Sequence, residues 1–227
     1  MEAARHISEE ARIVLTTLRT GPPDIAHGLL VQNLVNLRLA IKAQTVIPIT
    51  KPSEQIKSPP VQEETQGSSY VQPFLDVILN PRAAGPHTLV ALRSLYRLLK
   101  RRSIILSHGI DYQVNADMAN LMRGILACRF EQTDVGNDEA VEMAIADLLS
   151  LIIELDEQRE MDPNILMDGF NTVFVTRNTF VHSPALCYHF EQVLGVFVTE
   201  MFGSIHKGNS ASGCKMILQF LVSQLYP

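Results

Sequence analysis

With 227 residues, 46% of them hydrophobic, the chain is long enough to bury a sizeable core, as one large domain or two small ones. A net charge of −5 and a pI near 5.8 give no global attraction to nucleic acid. Three scattered cysteines without a C-x-x-C pair argue against a disulfide framework or a zinc site and for reduced cytosolic thiols, and no run of about 18 apolar residues predicts a membrane-spanning helix.

A helical period of about 3.6 residues dominates the chain. The charged opening, MEAARHISEEAR, reads as a helix and not as a signal peptide. Ile7, Ala11, Val14, Leu15 and Leu18 line its inner face, and Gly21-Pro22-Pro23 ends it. Leu30, Leu34, Leu37 and Ile41 line a second helix. The pattern then stops, because the segment 48–69 holds four prolines and scattered charges and has few apolar anchors. It reads as a flexible loop.

Order resumes at Tyr70. A short helix around Phe74, Leu75, Ile78 and Leu79 closes at Asn80-Pro81. Gly85-Pro86 opens the fourth, with Leu89, Leu92, Leu95, Tyr96 and Leu99 inward. Met118, Leu121, Met122 and Ile125 mark the fifth. The junction CRFEQTDVGNDEAVEMAIADLL carries an acidic loop, and Asn137 is placed to cap the sixth helix, whose inner face is Val141, Ile145, Leu148, Leu149, Ile152 and Leu155. Asp162-Pro163 and Ser183-Pro184 each set a capping side chain before a proline suited to the first helical position. They open a seventh helix (Leu166, Phe170, Val173) and an eighth (Leu186, Phe190, Leu194, Phe197, Met201, Ile205). Cys214, Ile217, Leu221 and Leu225 mark a ninth. The low aromatic content, 6% with no Trp, also suits stacked helices. The expected fold is all-α, an α-solenoid of about nine stacked antiparallel helices, armadillo/HEAT-like but without a strict sequence period.

Catalytic signals are weak. His108-Gly109-Ile110-Asp111 is a lone His-Asp pair, and no companion ligand motif, nucleophile elbow or phosphate loop accompanies it. The cysteines Cys128, Cys187 and Cys214 fall in apolar helical patterns and read as buried structural thiols. Charge is more informative. Arg93, Arg97, Lys100 and Arg101, with Arg102 beside them, place five of the 19 cationic residues in ten positions. On a helix they form a basic stripe, either a solvated face or a docking patch for an acidic partner or anionic headgroups. As exposed cations they are expected to matter to binding and little to stability. Asp138 and Glu139, adjacent in a first helical turn, suit the helix dipole better than acid–base catalysis, because neighbouring residues diverge around a helix.

Three segments carry a resemblance. Val71-Gln72-Pro73-Phe74-Leu75-Asp76-Val77-Ile78 is similar to "R-P-F-L-E-V-I". The run Gly85-Pro86-His87-Thr88-Leu89-Val90-Ala91-Leu92-Arg93-Ser94-Leu95-Tyr96-Arg97-Leu98-Leu99 is similar to "G-P-I-T-x-x-A-L-x-S-L-x-K-F-L". Cys128-Arg129-Phe130-Glu131-Gln132-Thr133-Asp134, followed by Asn137-Asp138-Glu139-Ala140-Val141, is similar to "C-R-F-x-x-T-D-x-x-S-D-E-x-V". In this order they resemble the N-terminal dimerisation and cyclophilin-binding (DCB) domain of the large Arf guanine-nucleotide exchange factors, in the GBF/Gea branch. The motifs cover about residues 71–155. Lys100-Arg101-Arg102 departs from the family, which continues with small and apolar residues there.

The resemblance implies one DCB-like domain over residues 1–227. It implies a non-catalytic regulatory role without cofactor or metal, since the family's Sec-seven catalytic domain lies outside these motifs. It further implies homodimerisation, docking on the neighbouring helical domain of the full-length protein, contact with Arf/Arl-type small GTPases, and a cytoplasmic protein held peripherally at Golgi membranes. Arg97 matches the family's lysine and Glu139 its glutamate, which makes them, with Arg93, Lys100, Arg101 and Asp138, the candidate interface residues. The alternative is a HEAT-type adaptor or anionic-lipid-binding helical module unrelated to Arf.

Overall fold

The structure, a computed structural model, describes residues 2–20, 25–46, 70–103, 112–131, 135–155, 161–206, 215–216, 218–220 and 222. Gly21-Pro22-Pro23, the segment 48–69, the His108–Asp111 pair and Cys214 lie outside them. The named helices are α1 (Glu2–Leu18), α2 (Ile25–Val46), α3 (Gln72–Ile78), α4 (Gly85–Lys100), α5 (Tyr112–Leu126), α6 (Val135–Leu155), α7 (Pro163–Thr179) and α8 (Pro184–His206). Residues 215, 216, 218–220 and 222 are also helical, where a ninth helix is expected. No strand is present among the described residues, so the fold is all-α.

Local chemistry explains most boundaries. Proline enters the first turn of α3, α4 and α7, where no backbone donor is lost. At α7 the Asp162 carboxylate accepts a hydrogen bond from the Asn164 backbone N–H at 2.9 Å, the expected cap. The end of α4 is a Schellman turn: the Arg102 N–H reaches the Leu99 carbonyl at 2.8 Å and the Ser103 N–H the Leu98 carbonyl at 2.9 Å. Arg102 itself takes a left-handed φ of 49°, a position that usually belongs to glycine. One expectation is corrected. Asn137 does not cap α6, because the helix already begins at Val135 and Asn137 sits inside its first turn.

The helices form a two-rail ladder. One rail is α1, α4, α6, α8 in sequence of contact, and the other is α2, α3, α5, α7. The rungs are the hairpins α1–α2, α3–α4, α5–α6 and α7–α8. Each hairpin closes through a short connection, as antiparallel neighbours require. At α7–α8 the direction is explicit: Arg177 meets Glu191, and further along Gly169 meets Phe197. The first hairpin is inserted in reverse. It passes from the first rail to the second, whereas the other three pass from the second to the first. Hence α1 runs antiparallel to α4 within its own rail, with His6 opposite Ser103 and Glu10 opposite Arg97.

The core runs continuously along the ladder. Phe74, Leu92, Leu95, Leu98, Leu121, Met122, Phe190 and Phe197 are fully buried within it. Burial of such side chains contributes about 1.5–3 kcal/mol each. The C-terminal helical residues join through Phe220, whose ring meets Phe170 edge-on at 5.7 Å and Phe174 at 5.4 Å.

Two glycines let neighbouring helices approach. A β-carbon at Gly169 would lie 2.6 Å from the Phe197 ring and 3.0 Å from the Met122 methyl, and one at Gly124 would lie 2.9 Å from Leu75. Gly→Ala inside a helix ordinarily stabilises by about 0.5–1 kcal/mol. At Gly169 the sign reverses, because a rigid ring blocks the added carbon on one side and Met122 crowds it on the other. Gly169→Ala should destabilise the fold by about 1–3 kcal/mol in urea denaturation, whereas Gly195→Ala, with open space around its site, should not.

Candidate functional site

The basic stripe divides in the structure. Arg93, Lys100 and Arg101 are exposed on α4 and just past its end. Arg97 is not a solvated member. Its guanidinium clasps the Glu10 carboxylate of α1 with two hydrogen bonds, Nε–Oε1 at 2.8 Å and Nη2–Oε2 at 2.6 Å, and also reaches Ser94 Oγ at 3.2 Å. Glu10 is only 3% exposed. Hydrogen bonding to Glu10 raises the Arg97 pKa further above its already high value. One turn beyond, His6 Nδ1 and Ser103 Oγ are hydrogen-bonded at 2.9 Å. The α1–α4 contact therefore has a polar seam, His6–Ser103 and Glu10–Arg97–Ser94, inside an otherwise apolar packing.

Uniform solvation of the stripe thus fails at Arg97. Its partner Glu10 was legible as an anomaly, since it shares the inner face of α1 with Ile7, Ala11 and Val14. A carboxylate on an apolar stripe calls for a buried cation.

The acidic candidates lie at the opposite end of α4. Asp138 is in the first turn of α6, and its Oδ1 would be 3.7 Å from a β-carbon on Gly85, the first residue of α4. Glu139 follows it and is half-buried. Twelve residues separate Gly85 from Arg97, about 18 Å along a helix. The structure therefore keeps the cations and the carboxylates apart, one group beside each end of α4. Both placements suit that helix's dipole, carboxylate at the N-terminus and cations at the C-terminus.

The α5–α6 junction is stitched to the α3–α4 turn. The Arg129 N–H donates to the Ile78 carbonyl at 3.3 Å, and the Glu131 N–H to the Ala83 carbonyl at 2.9 Å, with a parallel bridge between Ala84 and Glu131. Behind this stitch are two titratable groups. Burial, with the nearby Asp138 charge, pushes the Glu142 carboxyl up to about 7. Burial and the Glu142 charge push the Cys128 thiol up to about 12, so it stays protonated and unreactive. Cys128 lies just past α5, not within a helix, and Cys187 donates its thiol to the Phe180 carbonyl at 3.2 Å in the α7–α8 turn. Both are half-buried. Among the described residues no three His, Cys, Asp or Glu side chains are grouped to hold a metal, and no helix is long and apolar enough to cross a membrane. The geometry is that of a charged protein surface on a rigid helical scaffold.

Three curated proteins of Arabidopsis thaliana share a segment with this chain. ARF guanine-nucleotide exchange factor GNL1 is 39% identical over 80 residues, 35% of this chain and 5% of the relative. ARF guanine-nucleotide exchange factor GNOM is 35% identical over 80 residues, with the same shares, and ARF guanine-nucleotide exchange factor GNL2 is 31% identical over 107 residues, 47% of this chain and 8% of the relative. The matched segment is thus at most 8% of the length of these relatives. No protein-family model matches the chain. The chain is similar to a short part of large Arf guanine-nucleotide exchange factors.

Two measurements check the electrostatics. Arg97→Gln leaves Glu10 buried without its cation and should destabilise the fold by about 2–4 kcal/mol in denaturant melts, discounted for the half-exposed guanidinium. Lys100→Gln should change it by under about 0.5 kcal/mol. For Glu142, the folded protein binds the proton more tightly than the unfolded chain, so its contribution to stability is fully present below pH 4.5 and is lost as pH rises toward about 7. Glu142→Gln should therefore be near neutral at low pH and should stabilise, by of order 1–3 kcal/mol, at pH above that window.

Proposed function

We propose that this chain is a non-catalytic regulatory segment of a large Arf guanine-nucleotide exchange factor, of the DCB type in the GBF/Gea branch. In this reading residues 1–227 act as one helical domain. It self-associates, docks on a neighbouring helical domain of the same protein, and helps recruit the exchange factor to Golgi membranes in vesicle traffic. Small GTPases of the Arf/Arl kind are further partners of the same scaffold. The observation that carries the reading is that the three curated relatives above are all Arf exchange factors while the matched part is a small fraction of each. The helical ladder with its charged surfaces supports it.

Self-association would use the charge separation along α4. Two copies related by a two-fold axis, with their α4–α6 flanks antiparallel, would each set exposed cations over the other's carboxylates and repeat every contact twice. Arg93 and Lys100 take the cationic part here, because Arg97 is held by Glu10 within its own chain. Asp138 and Glu139 take the anionic part.

Sedimentation tests this. The wild-type chain should form a dimer, Arg93→Glu and Glu139→Lys should each weaken it, and the double exchange should restore part of the affinity. A monomer at high concentration, or a dimer indifferent to both single changes, defeats the self-association. The wider assignment is checked in the gene, where the residues following Pro227 should lead to a Sec-seven-type catalytic domain.

A further inference from the structure

Ser103 joins two helices that are remote in sequence. Its backbone closes the turn after α4, and its hydroxyl is hydrogen-bonded to Nδ1 of His6, 97 residues away, at 2.9 Å. Ser103 is 7% exposed, so this contact pins the start of α1 to the end of α4. Glu10, 3% exposed, lies one helical turn further along α1, about 6 Å from His6 along the axis.

The sequence around Ser103 is as specific as its contact. Lys100, Arg101 and Arg102 immediately precede it, and no other Ser or Thr of the chain follows three cations in a row. Cations directly before a hydroxyl are the charge pattern that a protein kinase with an acidic substrate groove selects. Such a groove reads extended chain, so the last turn of α4 must open first. The opening is small. It breaks the His6–Ser103 bond and the two backbone bonds that close the turn, from the Arg102 N–H to the Leu99 carbonyl and from the Ser103 N–H to the Leu98 carbonyl. The interaction that Arg102 makes in the closed turn is given up in the same step.

We propose that Ser103 is a phosphorylation site of a cation-directed protein kinase, and that its phosphate releases α1 from α4. In the transfer, Ser103 Oγ bonds to the γ-phosphorus of a nucleoside triphosphate and the bond to the β-phosphate oxygen breaks. The diphosphate leaves, and the hydroxyl proton passes to the carboxylate base of the kinase. The product does not fit back into the seam. It adds a phosphorus, three oxygens and a charge of about −1.5 to −2 at a nearly closed site. There the carbonyl end of α4 and the Glu10 carboxylate, a turn away, both repel it. One imidazole is outweighed by the two. The opened turn, hydrated and next to cations, is the better place for the phosphate. Because the seam sets the register of α1 on α4, the modification acts on the attachment of the first hairpin. Self-association and the exchange-factor assignment are not needed for it.

The experiment treats the full chain with the catalytic subunit of cyclic-AMP-dependent protein kinase and magnesium ATP, locates phosphate by mass spectrometry and follows amide hydrogen exchange. Phosphate is expected on Ser103. A neutral hydrogen bond favours the closed form by about fivefold, so His6→Ala should speed the labelling by about that factor. Lys100→Gln with Arg101→Gln should slow it by about tenfold or more. In the phosphorylated chain the amides of α1 should lose protection by about tenfold or more, while those of α7 and α8 hold. Ser103→Ala, treated with the same kinase, should keep α1 protected to within about fivefold, which separates the phosphate from the lost hydroxyl. No phosphate on Ser103 in either the wild type or His6→Ala, labelling no faster in His6→Ala, labelling indifferent to the paired Gln change, or a phosphorylated chain with α1 as protected as before would each overturn the proposal.

Discussion

A carboxylate that is 3% exposed fixes how the first hairpin joins the rest of the molecule. Glu10 needs a hydrogen-bonding cation in so apolar a contact, and the cation is Arg97, two donors on two oxygens. That pairing holds only when α1 lies antiparallel to α4 in one register. A one-turn slide would leave Glu10 against the leucines of α4 and would separate His6 from Ser103 as well. Leucine packing alone tolerates such slides. The polar seam therefore specifies register more than it adds stability. It also accounts for the reversed first hairpin, because α1 meets its rail neighbour head to tail whereas the other hairpins repeat in one sense.

Much of this fold was readable from the order of apolar residues. The inner faces of the first two helices, Ile7 to Leu18 and Leu30 to Ile41, are buried residue for residue. The short third helix closes at Asn80-Pro81, and Asp162-Pro163 opens α7 with the expected cap. Proline, glycine and a period near 3.6 are local signals, and a local signal survives in a single sequence. Leu79 escaped the pattern and is partly exposed, because it is the C-cap residue where helical phase ends. The start of α6 was misplaced for a related reason: Asn137 is a good cap by type, but helical phase already begins at Val135. The rail arrangement was not legible, since nothing in a linear period says which hairpin is reversed.

The candidate site was legible as composition and not as geometry. Counting cations found Arg93, Arg97, Lys100 and Arg101, and counting carboxylates found Asp138 and Glu139. The count could not tell a solvated Arg93 from an Arg97 locked on α1, because the partner is 87 residues away in the chain. The residues that were missed, Glu10, His6 and Ser103, are polar groups with non-local partners. Glu10 alone left a trace, a charge within an apolar stripe. Glu142 left none: it is an ordinary helical glutamate by sequence, and only packing behind the stitched α3–α4 and α5–α6 connections raises its pKa to about 7.

The two charged regions have one physical origin and two different excesses. α4 is a central helix, packed on α1, α3 and α6, and its buried dipole favours carboxylates near Gly85 and cations near Lys100. Asp138 and Lys100 answer that demand, and a separation of about 22 Å follows from the length of α4 between them. Stability would be satisfied there. Arg93 lies too far from the helix end to serve the dipole, which acts within the last turn. At the other end, Glu142 adds a second carboxyl where Asp138 already suffices, and it is held protonated up to near neutral pH. The basic residues Arg93 and Arg101 face water. The acidic excess at Glu142 is half-buried, where its effect is on the pH dependence of the fold. The same helix thus carries exposed cations towards one end and a titratable joint beside the other.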